Sequence, residues 1–180
     1  MCIQHPGYDR LEDVDANSFT YAFAANVVGP VMVYQVFKRF LDKSDKPIVV
    51  NLSSGAGSMG MDLGANAPAY AVSKAALNMM VRHSYILAII YFYLSPSQTY
   101  KLAKENPKLI TVAMSPGWVK TGTPFCAFIV NTGNVRIDMG GPGAQIEIAD
   151  SVQAMLRVIQ NLKPTDSGAF MNREGKTLPW

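Results

Sequence analysis

Tyr70 and Lys74, four residues apart, are the pair of side chains in this sequence best suited to proton transfer. A phenol has an ordinary pKa of about 10, and it can act as an acid near neutral pH when a nearby cation lowers that pKa. A spacing of four places both side chains on one face of a helix. The pair therefore suits delivery of a proton to a carbonyl oxygen, which hydride transfer from a nicotinamide to the carbonyl carbon requires.

The spacing by itself does not distinguish this pair. It recurs at Tyr34 with Lys38 and at Tyr100 with Lys104. Tyr70 differs because it follows the apolar run "IVVNLSS", which ends in Ser53 and Ser54. Ligands of α/β folds bind at the carboxyl ends of the strands, so these hydroxyls are expected beside the phenol. The serines could instead satisfy backbone groups at the strand end, and Tyr70 could be a core aromatic.

Hydropathy patterns predict alternating helices and strands. Helices are expected over residues 15–41, from residue 69 onward and over 147–162, with Asp15 or Asn17 capping the first. Strands are expected over 48–54, 109–117 and 167–172, and the β-branched start of 48–54 is typical of a strand buried on both faces. This order predicts an α/β fold with right-handed crossovers over a parallel sheet.

Composition restricts the classes of function. With 180 residues and 49% hydrophobic content, the chain can bury the core of one domain. Its net charge of +3 comes from scattered residues, which argues against a nucleic-acid partner. Cys2 and Cys126 have neither disulfide nor metal-ligand spacing, so no metal site and a reducing, cytoplasmic location are expected. The apolar run 85–94 is about half the length of a membrane span, which favours a buried helix end.

Several motifs together resemble the short-chain dehydrogenase/reductase family, and within it the C-factor and sniffer-like carbonyl reductases. They are "NVVGPVMVYQVF", "NLSSGAGSM", "YAVSKAALNMM", "AMSPGWVKT", "MGGPGA" and "DSGAFMNREGKTLPW". The resemblance implies a Rossmann-like parallel sheet with flanking helices. It also implies reduction of a carbonyl, or oxidation of an alcohol, with NAD or NADP, and the subgroup favours NADP.

The same resemblance implies roles for individual residues. Tyr70 would be the acid/base, Ser54 would hydrogen-bond the substrate oxygen, and Lys74 would lower the pKa of Tyr70 and hold the nicotinamide ribose. Asn26 would anchor a water that relays protons to Lys74, although it could also be a structural bend in its helix. The positions that match the nicotinamide-binding segment are Pro116, Gly117, Val119 and Thr121.

The resemblance also defines where this sequence departs from the family pattern. Family members begin with a strand and a T-G-x-x-x-G-x-G loop that receives the cofactor pyrophosphate, and no such motif occurs here. Residues 1–180 are therefore expected to form a single partial Rossmann-like domain, the C-terminal catalytic half. Residues 84–101 and 122–137 interrupt the pattern and are interpreted as insertions, with retained introns or gene-model errors as the hypothesis.

Two classes of function remain open at this point. The first is an oxidoreductase that acts on a small carbonyl or alcohol. The second is a noncatalytic fragment that pairs through the helices at 15–41 and from residue 69, which resemble the helices with which family members dimerise. A homodimer or homotetramer is expected in either case.

Overall fold

The fold of the chain is an α/β arrangement with a parallel sheet. The computed structural model describes residues 10–61, 63, 67–94, 108–120 and 143–180. Its helices are α1 (Ala16–Phe23), α2 (Gly29–Leu41), α3 (Pro68–Leu94) and α4 (Ile148–Asn161), and its strands are β1 (Ile48–Leu52), β2 (Ile110–Ser115) and β3 (Phe170–Asn172). Both strand pairs are parallel, in the order β1-β2-β3. The predicted α/β fold with flanking helices is confirmed.

The three strands differ in burial. All six residues of β2 are buried, whereas β1 is half-buried and its last residue, Leu52, is exposed. The prediction that both faces of this segment are buried is therefore wrong. The reason is position, because β1 is the outer strand of the described sheet and pairs with β2 alone.

Helices cover both faces of the sheet. On one face Ile110, Val112 and Met114 of β2 form a core cluster against which residues of α4 pack. On the other face Ala113 forms a second cluster with Val81 of α3 and with Phe170 of β3. The alternation of these β2 side chains follows the two-residue period of a strand. The small side chain at 113 leaves room for α3 to lie close to the sheet.

The helix predicted over residues 15–41 contains an irregularity. Asp15 caps its start, with Oδ1 accepting from the Ser18 amide at 2.7 Å. A π-helical turn, Ala24–Val28, separates α1 from α2. Pro30 has no N–H for the carbonyl of residue 26, and the Gly29 N–H donates five residues back to Ala24. The proline therefore explains why the regular helix is interrupted at this place.

Two other expectations concern segment ends. Helix α3 continues to Leu94, so the helix extends into the segment 84–101; residues 122–137 lie outside the described residues. Among the described residues, the helical stretch Ala16–Leu41 is long and apolar enough to cross a membrane, with mean hydropathy 1.2. Core helices of soluble proteins pass the same test of length and composition.

Candidate active site

Tyr70 and Lys74 lie in the first two turns of α3 and are both buried. Lys74 is 2% exposed and Tyr70 is 8% exposed. The Lys74 Nζ lies 5.6 Å from the centroid of the Tyr70 ring, and it donates a hydrogen bond to the carbonyl of Leu52 at 2.8 Å. The ammonium thus lies beside the Tyr70 ring and at the carboxyl end of β1, whereas the helical spacing predicted only that both side chains share one face of α3.

The second tyrosine–lysine pair with this spacing has a different environment. Lys38 is about one-third exposed and forms an ion pair at 2.8 Å with Asp42, the C-cap residue of α2. Lys74 has no carboxylate partner within the part of the chain that the structure describes. The third pair, at residues 100 and 104, lies outside that part. Burying a charge without a counter-ion is unfavourable. Such groups are found most often at functional sites, where activity offsets the loss of stability.

The turn after β1, which begins with Ser54, packs against α3, the helix that bears Lys74. The Ser54 Oγ accepts from the Ala56 amide at 3.2 Å and caps a 3₁₀ turn, Gly55–Gly57. A Cβ on Gly57 would lie 2.6 Å from the carbonyl carbon of Lys74. Only a residue without a side chain permits this approach, so the serine turn rests directly on the backbone of α3.

Asn26 connects the π-helical turn to α3. It is 1% exposed, and its Nδ2 donates to the Ser73 Oγ at 3.0 Å. The Ser73 hydroxyl in turn donates to the carbonyl of Tyr70 at 2.7 Å. The Oδ1 of Asn26 is buried and meets no donor among the residues described. An orphaned buried acceptor of this kind fits an ordered water better than a purely structural bend.

The segment after β2 lies at the same edge of the sheet, because Leu52 pairs with Met114 and the Ser53 amide donates to the Met114 carbonyl. Gly117 has a φ of +84°, a conformation that favours glycine. The carbonyl of Pro116 accepts from the Ser151 hydroxyl at 2.7 Å, which fixes the turn to the start of α4.

The residues that follow this turn run beside another segment. Val119 forms an isolated parallel bridge with Ile146. Thr121 lies outside the described residues. The structure therefore brings two of the predicted cofactor-binding positions, Pro116 and Gly117, to the edge of the sheet where β1 ends, and it places Val119 on the chain leading away from that edge.

Two polar residues of the site, Ser73 and Asn78, were not singled out by sequence reasoning, and Ser53, which the sequence did indicate, contacts one of them. Ser73 has the contacts given above, and Ser53 is buried with its Oγ donating to the Oδ1 of Asn78 at 2.5 Å. The Nδ2 of Asn78 donates to the carbonyl of Gly57 at 3.1 Å. A signal for Asn78 does exist in the sequence, because it lies four residues after Lys74 and eight after Tyr70, on the same helical face.

The arrangement can hold a hydroxylated ligand and move a proton. The Lys74 ammonium has three N–H donors, of which one is used by Leu52. The ammonium lies near the carboxyl end of β1, after which Ser54 follows, and the Tyr70 ring lies beside it. These groups fit the ribose hydroxyls and nicotinamide end of a dinucleotide, with a carbonyl substrate beside them.

Sequence comparison shows the family. A model described as short chain dehydrogenase matches residues 6–85. The chain is 34% identical over 170 residues to the C-signal protein of Myxococcus xanthus, and it covers 83% of that protein. It is 31% identical over 160 residues to an oxidoreductase of Schizosaccharomyces pombe, of which it covers 56%.

Solved structures show the same fold. An NADPH-bound carbonyl reductase from chicken fatty liver matches with a TM-score of 0.70 and 27% identity, and the chain covers 63% of it. The carbonyl reductase Sniffer of Drosophila melanogaster matches with a TM-score of 0.75 and 23% identity, over 64% of its length. The chain thus spans less than two thirds of these structures. By its motifs and these similarities, the chain belongs to the short-chain dehydrogenase/reductase family.

Proposed function

We propose that the chain is an NAD(P)-dependent oxidoreductase that reduces a small carbonyl compound or oxidises the corresponding alcohol. The observation that carries the proposal is the buried Lys74 ammonium, which lies beside the Tyr70 ring and carries no carboxylate partner in the described part of the chain. A reducing cytoplasmic location, which fractionation of cells would test, belongs to the same proposal.

Each residue has a part in this proposal. When bound, a nicotinamide would supply or accept the hydride. Tyr70 gives a proton to the substrate oxygen, Ser54 donates a hydrogen bond to that oxygen, and Lys74 stabilises the phenolate through its positive charge. Asn26, whose Oδ1 meets no donor among the described residues, anchors a water on the path by which the proton is replaced.

NADP is the favoured cofactor. Two of the similar solved structures, the chicken carbonyl reductase and a Burkholderia multivorans protein, are described as bound to NADPH and NADP respectively. In this chain Lys74, Pro116 and Gly117 would hold the nicotinamide end, and Val119 and Thr121 belong to the same segment. The sequence has no T-G-x-x-x-G-x-G motif for the pyrophosphate, so cofactor binding is the step to measure first.

The test uses the purified chain with NADPH or NADH and a panel of aldehydes and ketones headed by benzaldehyde. Loss of the reduced cofactor's absorbance measures turnover. We expect Tyr70→Phe to lower kcat by about 10²–10⁴-fold. The matched control is Tyr34→Phe, which alters the other described tyrosine with a lysine four residues on, and it should retain wild-type turnover.

Cofactor binding has a readout that does not depend on the substrate. A dinucleotide that binds only the folded chain should raise its free energy of unfolding by about 2.7 kcal/mol at a hundredfold excess over the dissociation constant. Wild-type protein without this stabilisation, and without turnover of any carbonyl, would exclude the oxidoreductase function for this chain.

A second candidate function, a noncatalytic module that pairs through its helices, is favoured by the surface of α2. Five large apolar side chains of this helix are about half exposed or more: Met32, Val33, Val36, Phe37 and Phe40. Such a surface is typical of an interface. The homodimer or homotetramer expected from the sequence would cover it.

Sedimentation velocity tests this surface. Phe37→Glu should shift the chain toward the monomer, whereas Gln35→Glu adds the same charge to an exposed polar position of α2 and should not. A chain that associates but neither binds dinucleotide nor turns over carbonyls would favour the noncatalytic module. Association that is unchanged by Phe37→Glu would place the interface elsewhere.

A further inference from the structure

Asn78 is a buried polar residue to which the proposed reaction assigns no role. It is 3% exposed and lies one helical turn after Lys74. Its carboxamide makes two hydrogen bonds, accepting from the Ser53 hydroxyl at 2.5 Å and donating to the Gly57 carbonyl at 3.1 Å. These two partners lie on either side of Ser54 in the sequence.

The two hydrogen bonds define the position of the turn that carries Ser54. Ser53 is the residue before it, and Gly57 is the last residue of the 3₁₀ turn that Ser54 caps. The turn has internal bonds of its own, from the Gly57 amide to the Ser54 carbonyl and from the Ser58 amide to the Gly55 carbonyl. Those bonds set the shape of the turn but not its distance from α3. Asn78 connects both ends of the turn to α3.

The chemistry of the two partners requires an asparagine. One neighbour presents a hydroxyl donor and the other a carbonyl acceptor, so the side chain must accept at one atom and donate at another. A carboxylate would place an oxygen against the Gly57 carbonyl, and a leucine of similar shape would leave both partners buried without a hydrogen bond. Both substitutions therefore release the turn from α3.

We propose that Asn78 is a positioning residue that fixes Ser54 relative to Tyr70 and Lys74. This role rests on the proposed oxidoreductase function for its effect on turnover. Its effect on the turn is independent of that function. Asn78 touches neither the cofactor nor the substrate in this proposal and acts through Ser53 and Gly57.

The experiment compares Asn78→Asp and Asn78→Leu with Val81→Ala. Val81 is equally buried in α3, one turn further on, and packs against Ala113 and Phe170 of the sheet. All three variants should lower the melting temperature. We expect the Asn78 variants alone to lower kcat, by about tenfold or more, with the KM for NADPH changed by less than about threefold. Equal losses of kcat in Val81→Ala would overturn the positioning role.

Amide hydrogen exchange supplies the readout that does not need turnover. The amides of Ala56 and Gly57 should exchange faster in both Asn78 variants, relative to the amides of α3, and should be unchanged in Val81→Ala. Unchanged exchange at these amides would overturn the inference even if the wild type is active. An inactive wild type with this exchange pattern would exclude the proposed reaction and leave the positioning role supported.

Discussion

The buried ammonium of Lys74 has one described hydrogen-bond partner, the carbonyl of Leu52, and faces the ring of Tyr70. Moving a charge out of water is unfavourable, and one carbonyl does not compensate for three lost hydrogen bonds to water. A residue kept at a net loss in stability is expected to contribute to activity, since stability and activity often compete at functional sites.

Lys74→Met tests this competition. The variant removes the charge and keeps most of the side chain's volume, so we expect the free energy of unfolding to stay within about 1 kcal/mol of wild type or to rise. Turnover should fall by about 10²–10⁴-fold, because the phenolate of Tyr70 loses its nearby cation. Urea denaturation and steady-state kinetics measure the two quantities. A large loss of stability would show that Lys74 is chiefly a structural residue.

At the scale of elements, the contact between the serine turn and α3 depends on Gly57. A Cβ there would lie 2.6 Å from backbone of Lys74, and neither backbone segment can yield without moving the other. Gly57→Ala should therefore lower the free energy of unfolding by about 1–3 kcal/mol, as overpacking does elsewhere. Thermal and urea denaturation of the purified variant would measure it.

Gly29→Ala is the matched control, because the same substitution there meets only an ordinary van der Waals contact. Its Cβ would lie 3.5 Å from the carbonyl oxygen of Ala24, an ordinary contact, and the residue has helical backbone angles. Alanine is the better helix former by about 0.5–1 kcal/mol, so this variant should be more stable than wild type. If Gly57→Ala and Gly29→Ala changed the free energy of unfolding in the same direction, the contacts assigned to the two glycines would be wrong.

Local sequence patterns predicted most of these elements but few of the contacts between them. The four-residue spacing of Tyr70 and Lys74, and the serines at the end of an apolar run, indicated the chemistry because helix and strand periods are local properties. The hydrogen bond from Asn26 to Ser73 spans 47 residues and that from Ser53 to Asn78 spans 25, and no local pattern encodes such pairs. The half-buried state of β1 likewise depends on the strands that flank it, and the residues of β1 do not themselves encode it.

The π-helical turn shows how far local information extends. Pro30 removes one helical N–H, and this much is readable in the sequence. That the irregularity brings a buried Asn26 to Ser73 of α3 depends on the packing of two helices. The sequence alone left open whether Asn26 bends the helix or belongs to the site. The structure shows that the irregular turn and the contact with the site occur together.

At the scale of the whole molecule, the last segment of the sequence connects β3 to the loop after Ser54. The carbonyl of Trp180 accepts from the Gly60 amide at 3.0 Å, and the carbonyl of Pro179 accepts from the Ser58 hydroxyl at 2.7 Å. The Trp180 ring lies 5.6 Å from the buried ring of Phe170, centroid to centroid. Residues more than a hundred positions apart thereby hold the loop, and the Trp180 ring also lies 5.9 Å from the guanidinium of Arg82 in α3.

Trp180→Ala should release this side of the loop. Because the ring is only partly buried, we expect a loss of about 1–3 kcal/mol in the free energy of unfolding, below the 3–5 kcal/mol typical of a fully buried tryptophan. The amides of Gly60 and Met61 donate to the Trp180 carbonyl and the Ser58 hydroxyl, and they should exchange with solvent faster. The amides of Ala56 and Gly57 donate to Ser54, and they should keep their protection. Mass spectrometry of exchanged peptides distinguishes the two ends of the loop.

Phe40→Ala is the control for this last change, because both rings lie near an arginine and a phenylalanine, for Trp180 these being Arg82 and Phe170, but Phe40 is on an exposed surface. An arginine, Arg39, lies 4.7 Å from its ring centroid and the ring of Phe37 lies 6.0 Å away. With the side chain half exposed, its loss should change the stability of the monomer by less than about 0.5 kcal/mol. If Phe40→Ala destabilised the monomer as much as Trp180→Ala, the effect of the tryptophan would come from its ring contacts as such. A larger loss of stability in Trp180→Ala, with faster exchange confined to residues 58–61, would show that Trp180 stabilises the contact between the segment after β3 and the loop after Ser54.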